Sequence, residues 1–375
     1  MNKNNKPKTI LICSNCAWTI FNFRLPVIRS IRNAGYRVEV LTQFDGYEEL
    51  LRDEVDDIHN LYISRKGLNP FVDFITFLHI SFILLRSKAT ACLFFTIKPV
   101  IYGSLASMFL RVPGISTITG LGTAFMSEGF LSRIATSLYK VSFLSVKGVF
   151  FQNIDDKNLF INKKLVNPNV CHLSPGSGVD LDKFKSCDLP KSDEMKFLLV
   201  ARMLWDKGIG EFVEAARIVK HKYPNTHFQL LGPLGVDNRS AISNKDIEKW
   251  QKDGVIEYLG ETDNVIKYIN NACCIVLPSY REGTSRVLLE SAAMGRPLIA
   301  TNVPGCKEVI EDGISGYLCK SHNSDDLANK IEKMVLLSYS SRCAMGEKGR
   351  QKMEQEFNQD LVCKLYLGAI KGLKI

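Results

Sequence analysis

Short apolar runs alternate with helical patterns along this chain, and the alternation starts again at Met195. In the first half, residues 9–14 and 91–97 are typical of buried strands, whereas 71–85 and 131–144 are typical of helices. Strands that alternate with helices predict a parallel sheet with both faces covered. Ligands of such sheets bind at the carboxyl ends of the strands, so we expect functional residues there. Further predicted elements of this half are a helix over 26–33, a strand over 60–63 and a helix over 100–110.

The restart of the pattern predicts two α/β domains of ordinary size for a chain of 375 residues. The stretch 174–192 between them is rich in proline and glycine, as a linker should be. We therefore predict one domain over 1–175 and a second over 176–355. A C-terminal helix over 356–375 can cross back to the first domain.

The composition excludes several classes of protein. The eleven cysteines form no regular framework, and Cys13 and Cys16 lack the second pair that a tetrahedral zinc site needs. Free cysteines in a reducing cytoplasm are the expected state. The N-terminal apolar run is too short for a signal peptide. Residues 71–85 fall short of the roughly 20 residues that span a bilayer, so we predict no transmembrane helix.

Positive charge is concentrated in residues 60–154, which hold nine basic and two acidic residues among many apolar ones. Such a mixture favours a surface that rests on an anionic bilayer. A solvated positive face beside a buried core explains it equally well. Nucleic-acid binding is disfavoured, because the basic residues show no recognisable binding module. The basic residues are Arg65, Lys66, Arg86, Lys88, Lys98, Arg111, Arg133, Lys140 and Lys147.

The most informative segment of the second half has a pattern that predicts a strand, a loop, a helix and a second strand. An apolar strand over 273–278 leads into a short loop that opens directly onto a helix. Thr284 or Ser285 can cap that helix, whose first N–H groups and dipole favour anionic groups. Glu282 lies in the loop, and Glu290 lies about one and a half turns inside the helix. Two carboxylates around such a helix start suit a ligand with many hydroxyls and a diphosphate, such as a nucleotide sugar.

Two cations follow the first strand of the second half. Arg202 offers a planar fork to phosphate oxygens, and Lys207 offers a point charge. A leaving diphosphate gains negative charge as its bond breaks, so cations here stabilise the transition state more than the ground state. The alternative is a surface ion pair, for example between Lys207 and Asp206.

Three motifs together resemble family 4 glycosyltransferases, which have the GT-B fold. Glu282 and Glu290 are followed by a small-residue helix and by Gly-x-Pro-x-x-x-Thr, as in the donor site of that family. Residues 175–180 resemble its inter-domain segment, and 201–208 resemble its phosphate-binding loop. The resemblance covers roughly residues 170–320. It implies two Rossmann-like parallel-sheet domains that face each other across a cleft, with the acceptor on the N-terminal domain and the nucleotide sugar on the C-terminal one.

The resemblance also assigns roles to residues of the second domain. Glu290 is expected to bind the ribose hydroxyls of the nucleotide, since a carboxylate accepts two adjacent hydroxyls. Glu282 is expected to contact the donor sugar with help from the N–H groups of Gly283 and Thr284. An acidic residue that complements the helix dipole explains Glu282 alone, but Glu290 lies too far inside. The candidate catalytic residues are Arg202, Lys207 and Glu282.

The first domain is expected to supply the acceptor side. Asn15 follows the first strand, where the family usually has a glycine-rich turn. Asn22 can cap the next helix, and Glu128 is either an acceptor-site base or a helix cap. Lys98 follows the fourth strand, near the place where many members have a histidine. The acceptor-side candidates are Asn15, Asn22, Lys98, Gly120, Gly122 and Glu128.

These features predict a retaining glycosyltransferase that uses a UDP-sugar, either an N-acetylhexosamine or a hexose donor. The closer resemblance is to bacterial enzymes that extend a sugar on undecaprenyl diphosphate in O-antigen lipopolysaccharide, capsule or glycan assembly. It implies a cytoplasmic enzyme at the inner face of the plasma membrane, with an anionic lipid surface as partner and no nucleic acid, cofactor or metal. The alternatives are a transferase on a soluble acceptor and a nucleotide-sugar epimerase or binding module.

Overall fold

The structure of the protein is a computed structural model that describes residues 7–64, 69–121, 130–238, 240–373 and 375. The chain divides into two compact units. Unit 1 runs to Ser177 and takes up Gln359–Ile375 from the other end of the chain, and unit 2 is Gly178–Asn358. Each unit is built on a parallel sheet, which confirms the predicted α/β class.

The parallel sheet of unit 1 consists of β1 (Thr9–Cys13), β2 (Arg37–Thr42), β3 (Asp57–Asn60), β4 (Ala91–Phe95), β5 (Gly114–Ile118), β6 (Gly148–Phe151) and β7 (Cys171–Leu173). Within the described residues its strand order is β3-β2-β1-β4-β5-β6-β7. Alternate residues of β1 enter two different cores, since Leu11 and Cys13 pack on one face of the sheet and Ile10 and Ile12 on the other. Both faces are therefore covered, as the apolar strands predict.

Helices cover the two faces of this sheet. The face that contains Ile10 packs against α1, and the face that contains Leu11 packs against α3 and the helices that follow it. The residues between β4 and α4 form a π-helical turn, Pro99–Gly103. The described helices of unit 1 before the linker are α1 (Ala17–Asn33), α2 (Glu48–Leu51), α3 (Pro70–Ser87), α4 (Ser104–Leu110), α5 (Phe130–Ser142) and α6 (Ile154–Asn162).

The parallel sheet of unit 2 consists of β8 (Met195–Val200), β9 (Thr226–Leu231), β10 (Glu257–Tyr258), β11 (Cys274–Leu277), β12 (Leu298–Thr301) and β13 (Gly316–Cys319). The described strands follow the order β10-β9-β8-β11-β12-β13. Because β8 and β11 are neighbours and β12 pairs with β11, the carboxyl ends of these three strands lie side by side. The helices of the unit are α7 (Ile209–Lys222), α8 (Asn244–Lys252), α9 (Val265–Asn271), α10 (Arg286–Ala293), α11 (Ser324–Leu336) and α12 (Tyr339–Glu356).

The last helix, α13 (Gln359–Gly372), belongs to unit 1. Its buried residues Val362, Tyr366 and Ile370 join the core on the α1 face of the sheet. The Tyr366 ring lies 4.9 Å from the Phe150 ring, measured between centroids. Its hydroxyl forms a buried hydrogen bond of 2.7 Å with the Thr117 hydroxyl. The C-terminal segment is therefore a structural part of unit 1.

Two predicted boundaries are wrong. The helix predicted to begin at Pro26 begins at Ala17, so Pro26 lies inside it. Burial of Ile20, Val27 and other apolar residues against the sheet outweighs the one hydrogen bond that a proline removes. The strand predicted over 60–63 is β3, which begins three residues earlier. Its residues are partly exposed at the sheet edge, so its bounds are set by pairing with β2 and not by an apolar run.

Helix α3 is longer than predicted. It has 18 residues, begins at the cap that Asn69 forms with the Phe71 N–H, and ends at Lys88 in the left-handed conformation. By length and composition it could cross a membrane, with 28% of it buried in the protein. One such helix is also found in proteins that do not span membranes, so the absence of a transmembrane helix stays a prediction.

We predict that unit 1 depends on Tyr366. Tyr366→Ala should cost about 3–5 kcal/mol by leaving a cavity among aromatic side chains. Tyr366→Phe should cost about 1–3 kcal/mol because the buried Thr117 hydroxyl loses its partner. Urea denaturation measures both losses. The neighbouring Leu365, which is 38% exposed, provides the matched control Leu365→Ala. Equal denaturation midpoints for the two alanine variants would contradict the assignment.

Candidate functional site

The loop after β8 in unit 2 carries the two predicted cations. A short turn, Trp205–Lys207, ends at Gly208, whose φ of +71° is in the left-handed region. A Cβ on Gly208 would lie 2.0 Å from the Pro278 carbonyl oxygen, so only glycine allows the two segments to approach this closely. Gly208 therefore places Lys207 beside the end of β11.

Backbone hydrogen bonds join this loop to the loop after β11. The Tyr280 N–H donates to the Asp206 carbonyl at 3.0 Å, and the Ser279 hydroxyl donates to the same oxygen at 3.3 Å. The loop after β12 contributes in the same way, because the Glu282 N–H donates to the Pro304 carbonyl at 3.0 Å. Gly305, at a φ of +82°, is the second point of close approach, since its Cβ would lie 2.4 Å from the Glu282 carbonyl oxygen.

The structure brings Lys207 and Glu282 into direct contact. The Lys207 Nζ lies 2.5 Å from the Glu282 Oε1, and both side chains are largely shielded from solvent. The alternative partner of Lys207, Asp206, instead accepts a hydrogen bond of 2.7 Å from the Ser240 hydroxyl. A shielded pair holds its charges in fixed positions, which an exposed lysine would not achieve.

Arg202 does not join this pair. Its guanidinium is exposed and forms neither a hydrogen bond nor an ion pair with any described residue. An unpaired guanidinium on the same loop keeps its planar fork available for phosphate oxygens. The sequence therefore identified two neighbouring cations that have different surroundings in the structure.

Helix α10 begins where the sequence predicts, but its cap differs. Ser285 occupies the N-cap position, and its side chain does not accept a capping hydrogen bond. Its N–H donates to the Gly305 carbonyl at 2.9 Å instead, so the loop after β12 fixes the helix start. Gly283 and Thr284 precede the cap and are half-buried.

Glu290 occupies the fifth position of α10, and its side chain is buried. Its carboxylate accepts a hydrogen bond from the Arg286 Nε one turn earlier. Burial raises the pKa of the Glu290 carboxyl, and the nearby charges of Arg286 and Lys183 oppose that rise. A carboxylate kept in so unfavourable a place is typical of functional sites.

A group of aromatic and titratable residues beside this loop was not identified from the sequence. The Tyr280 hydroxyl donates to Glu211 at 2.9 Å, and the Tyr280 and His322 rings are 3.6 Å apart between centroids. The position of Tyr280 directly after β11 is the signal that could have found it. His322 follows β13, far away in sequence.

Candidate residues of unit 1 also lie after its strands. The Asn15 N–H, just after β1, donates to the Thr96 hydroxyl at 3.2 Å, and Thr96 follows β4 with a φ of +68°. The side-chain oxygens of Ser14 and Asn15 are buried without a hydrogen-bond partner among the described residues. Gly120, after β5, is half-buried. Buried orphan oxygens and a strained threonine at one sheet edge are features that binding sites retain.

Lys98 is held by Asp73, which no sequence motif connects to it. Its Nζ lies 2.5 Å from the Asp73 Oδ1, and the Tyr102 hydroxyl donates to the Asp73 Oδ2 at 2.9 Å. Asn22 is not a helix cap, because it lies inside α1 and its amide donates to the Trp18 carbonyl at 3.0 Å. Two remaining candidates, Gly122 and Glu128, lie outside the described residues.

A cavity of about 290 Å³ lies at the carboxyl ends of β2 and β3. Its polar lining consists of amide, hydroxyl and imidazole groups, which can donate to and accept from the hydroxyls of a sugar. No sequence motif predicts this cavity, because its residues come from separate segments of the chain. The polar residues that line it are Gln43, Asn60, Tyr62, Ser64 and His79.

Comparison with known proteins gives consistent results. Residues 182–352 match the family model described as Glycosyl transferases group 1. The chain is 27% identical over 373 residues to the N,N'-diacetylbacillosaminyl-diphospho-undecaprenol alpha-1,3-N-acetylgalactosaminyltransferase of Campylobacter jejuni, covering 94% of this chain and 96% of that relative. It is 23% identical over 347 residues to the capsular polysaccharide biosynthesis glycosyltransferase CapM of Staphylococcus aureus, covering 89% of this chain and 90% of that one.

A solved structure agrees on the fold. Anabaena HepE in complex with UDP superposes with a TM-score of 0.78 at 16% identity, covering 97% of this chain and 100% of that chain. The match extends over both units, and the predicted GT-B fold is confirmed.

We predict that Glu290 makes stability pH-dependent. Its raised folded-state pKa means that the folded chain binds this proton more tightly than the unfolded chain, whose pKa is about 4.3. Stability from this group is therefore present below about pH 4.3 and is lost as pH rises through the folded-state pKa. Glu290→Gln removes this loss and should therefore gain stability relative to wild type as pH rises through that window.

Thermal unfolding of both proteins from about pH 4 to about pH 8 measures this difference. Glu248→Gln, at an exposed position of α8, is the matched control and should give a flat difference. A pH-independent difference for Glu290→Gln, or one of opposite sign, would refute the burial argument.

Proposed function

We propose that the chain is a glycosyltransferase of group 1 that acts in polysaccharide or glycan biosynthesis and moves a sugar from a UDP-sugar to a lipid-diphosphate-linked saccharide. The donor sugar is a hexose or an N-acetylhexosamine, and its anomeric configuration is retained, as the resemblance to family 4 implies. The acceptor is presented at the inner face of the plasma membrane.

The ion pair between Lys207 and Glu282 carries this proposal. It lies within the segment that matches the family model, at the adjoining ends of β8 and β11. Glu282 fixes the position of Lys207, and a diphosphate beside Lys207 gains a preorganised positive charge. Arg202 adds a second cation from the same loop. As the glycosidic bond breaks, negative charge develops on the leaving diphosphate, so these charges stabilise the transition state.

We assign different roles to Glu282 and Glu290. Glu290 is held in a fixed orientation by Arg286, so its second oxygen can accept from ribose hydroxyls. Glu282 lies at the mouth of the three loops and is assigned to hydroxyls of the donor sugar. Gly283 and Thr284 contribute backbone N–H groups at the start of α10.

Two observations support a UDP-linked donor and a lipid-linked acceptor. Anabaena HepE, which shares the fold, was solved with UDP. The Campylobacter jejuni relative is named for a diphospho-undecaprenol substrate and covers nearly the whole chain. In unit 1, Asn15, Asn22, Lys98 and Gly120 are the described residues that we assign to the acceptor side, together with the neighbouring polar cavity.

The test is acceptor-dependent release of UDP. Purified protein is incubated with a panel of UDP-sugars, alone, with free saccharides, and with polyprenyl-diphosphate-linked saccharides. We expect release with the lipid-linked acceptor only, and undiminished release in excess chelator, because Arg202 and Lys207 neutralise the diphosphate. Release with free saccharides would favour a soluble acceptor. Conversion of the donor without release would favour an epimerase, and loss in chelator that a divalent cation restores would reveal a metal site.

Donor affinity should depend on Lys207 and Glu290. Lys207→Ala and Glu290→Ala each remove a charge-assisted contact and should weaken UDP-sugar binding by roughly 1.5–3 kcal/mol. Isothermal titration calorimetry with the active donor measures the change. Lys245→Ala, at an exposed lysine of α8, is the matched control and should bind as wild type. Unchanged affinity in both site variants would remove the donor-site assignment.

A further inference from the structure

Helix α3 exposes a continuous row of large apolar side chains. The row follows the spacing i, i+3, i+7, i+11 and i+14, which places its members on one side of a helix. Each member is between 49% and 70% exposed. We call these residues the apolar stripe; they are Phe71, Phe74, Leu78, Phe82 and Leu85.

The opposite side of α3 packs into the hydrophobic core of unit 1. Ile80, Ile83 and Leu84 are buried there. The Lys98–Asp73 ion pair fastens the first turn of the helix to the residues after β4. A transmembrane orientation would strip α3 from this core and take Asp73 into lipid without its partner. The helix is therefore placed to lie along a surface with its stripe outward.

The exposed apolar surface continues across the neighbouring helices. Phe109 of α4 is 68% exposed, and its ring meets the Phe77 ring of α3 edge to face, with centroids 6.0 Å apart. Helix α5, which packs against α4, and its end also carry the exposed apolar residues Ile134, Val141 and Leu144. Exposed apolar patches of this extent mark an interaction surface.

The charges around this surface have one sign. In residues 69–121 and 130–154, the described acidic residue is Asp73, which is buried and ion-paired. Lys98 is the ion-pair partner of Asp73, and the other basic residues of these ranges are exposed and have no ion-pair partner among the described residues. They are Arg86, Lys88, Arg111, Arg133, Lys140 and Lys147.

We propose that the apolar stripe inserts into an anionic lipid monolayer, with α3 parallel to the membrane plane and the basic residues at the level of the headgroups. Apolar side chains with a basic fringe are the arrangement that binds such surfaces. A second copy of this chain is a poorer occupant, because two like-charged fringes would face each other. The inference rests on the proposed function, since it states how the enzyme meets a substrate anchored in lipid.

Co-sedimentation with vesicles tests this assignment. The vesicles are phosphatidylcholine alone or phosphatidylcholine mixed with phosphatidylglycerol, and substrate is absent. Wild type should bind the mixed vesicles, and binding should fall as salt rises but leave a salt-resistant remainder. The variant Phe71→Ser, Phe74→Ser, Phe82→Ser should lose at least about tenfold in partitioning. The variant Arg86→Gln, Lys140→Gln, Lys147→Gln should lose roughly a hundredfold at low salt, since each such charge contributes about fivefold.

Matched controls come from unit 2. Ile218, Ile314 and Leu336 are exposed apolar residues there, and their joint replacement by serine should leave vesicle binding unchanged. The same holds for Lys245→Gln, Lys249→Gln, Lys252→Gln, which removes three exposed lysines of α8.

The outcomes separate this inference from the proposed function. The stripe variant should still release UDP with a short-chain, water-soluble polyprenyl-diphosphate acceptor, because it replaces none of the residues assigned to the donor or the acceptor. If wild type binds vesicles but transfers no sugar, the proposed function is refuted, whereas the insertion of the apolar stripe into the monolayer is supported. The insertion of the apolar stripe is refuted if the stripe variant binds vesicles as well as wild type does. It is also refuted if wild type does not bind vesicles. So would a dimer in sedimentation equilibrium that the stripe variant dissociates.

Discussion

The candidate donor site depends on two places where backbone approaches backbone in unit 2. Gly208 lets the loop after β8 reach Pro278, and Gly305 lets the loop after β12 reach Glu282. A side chain at either glycine would overlap a carbonyl group, and both residues have positive φ angles that other residues rarely adopt. The contact between Lys207 and Glu282 is a consequence, since these approaches bring together the loops that carry the two residues.

The two glutamates of the site have different surroundings. Glu282 is largely shielded from solvent and has a cationic partner across the loops, so its charge is compensated. Glu290 is buried in α10, where burial raises the pKa of its carboxyl in spite of Arg286. A sequence selected for stability alone would favour an uncharged residue at that position. A ligand with paired hydroxyls is a sufficient reason to keep it, which agrees with a nucleotide sugar.

Local patterns predicted most of the fold, whereas contacts between distant segments escaped them. The strand predicted over 9–14 lies at Thr9–Cys13 in the structure, because its apolar run is a local signal. The ion-pair partners of Lys207 and Lys98 could not be predicted from local patterns, because they lie 75 and 25 residues away in the sequence. The start of α1 was also missed, because burial against the sheet overrode the signal of Pro26.

Helix α3 connects the acceptor-side candidates with the proposed membrane face. Asp73, in its first turn, holds the ammonium group of Lys98, while Phe71 and Phe74 of the same turn point to solvent. The ion pair with Asp73 thus fixes the Lys98 charge relative to the apolar stripe. With the stripe in a monolayer, this geometry sets the distance between Lys98 and the headgroups. A fixed cation at a set depth is what the proposed reaction on a lipid-anchored diphosphate requires, so the attachment of Lys98 to α3 agrees with the proposed acceptor.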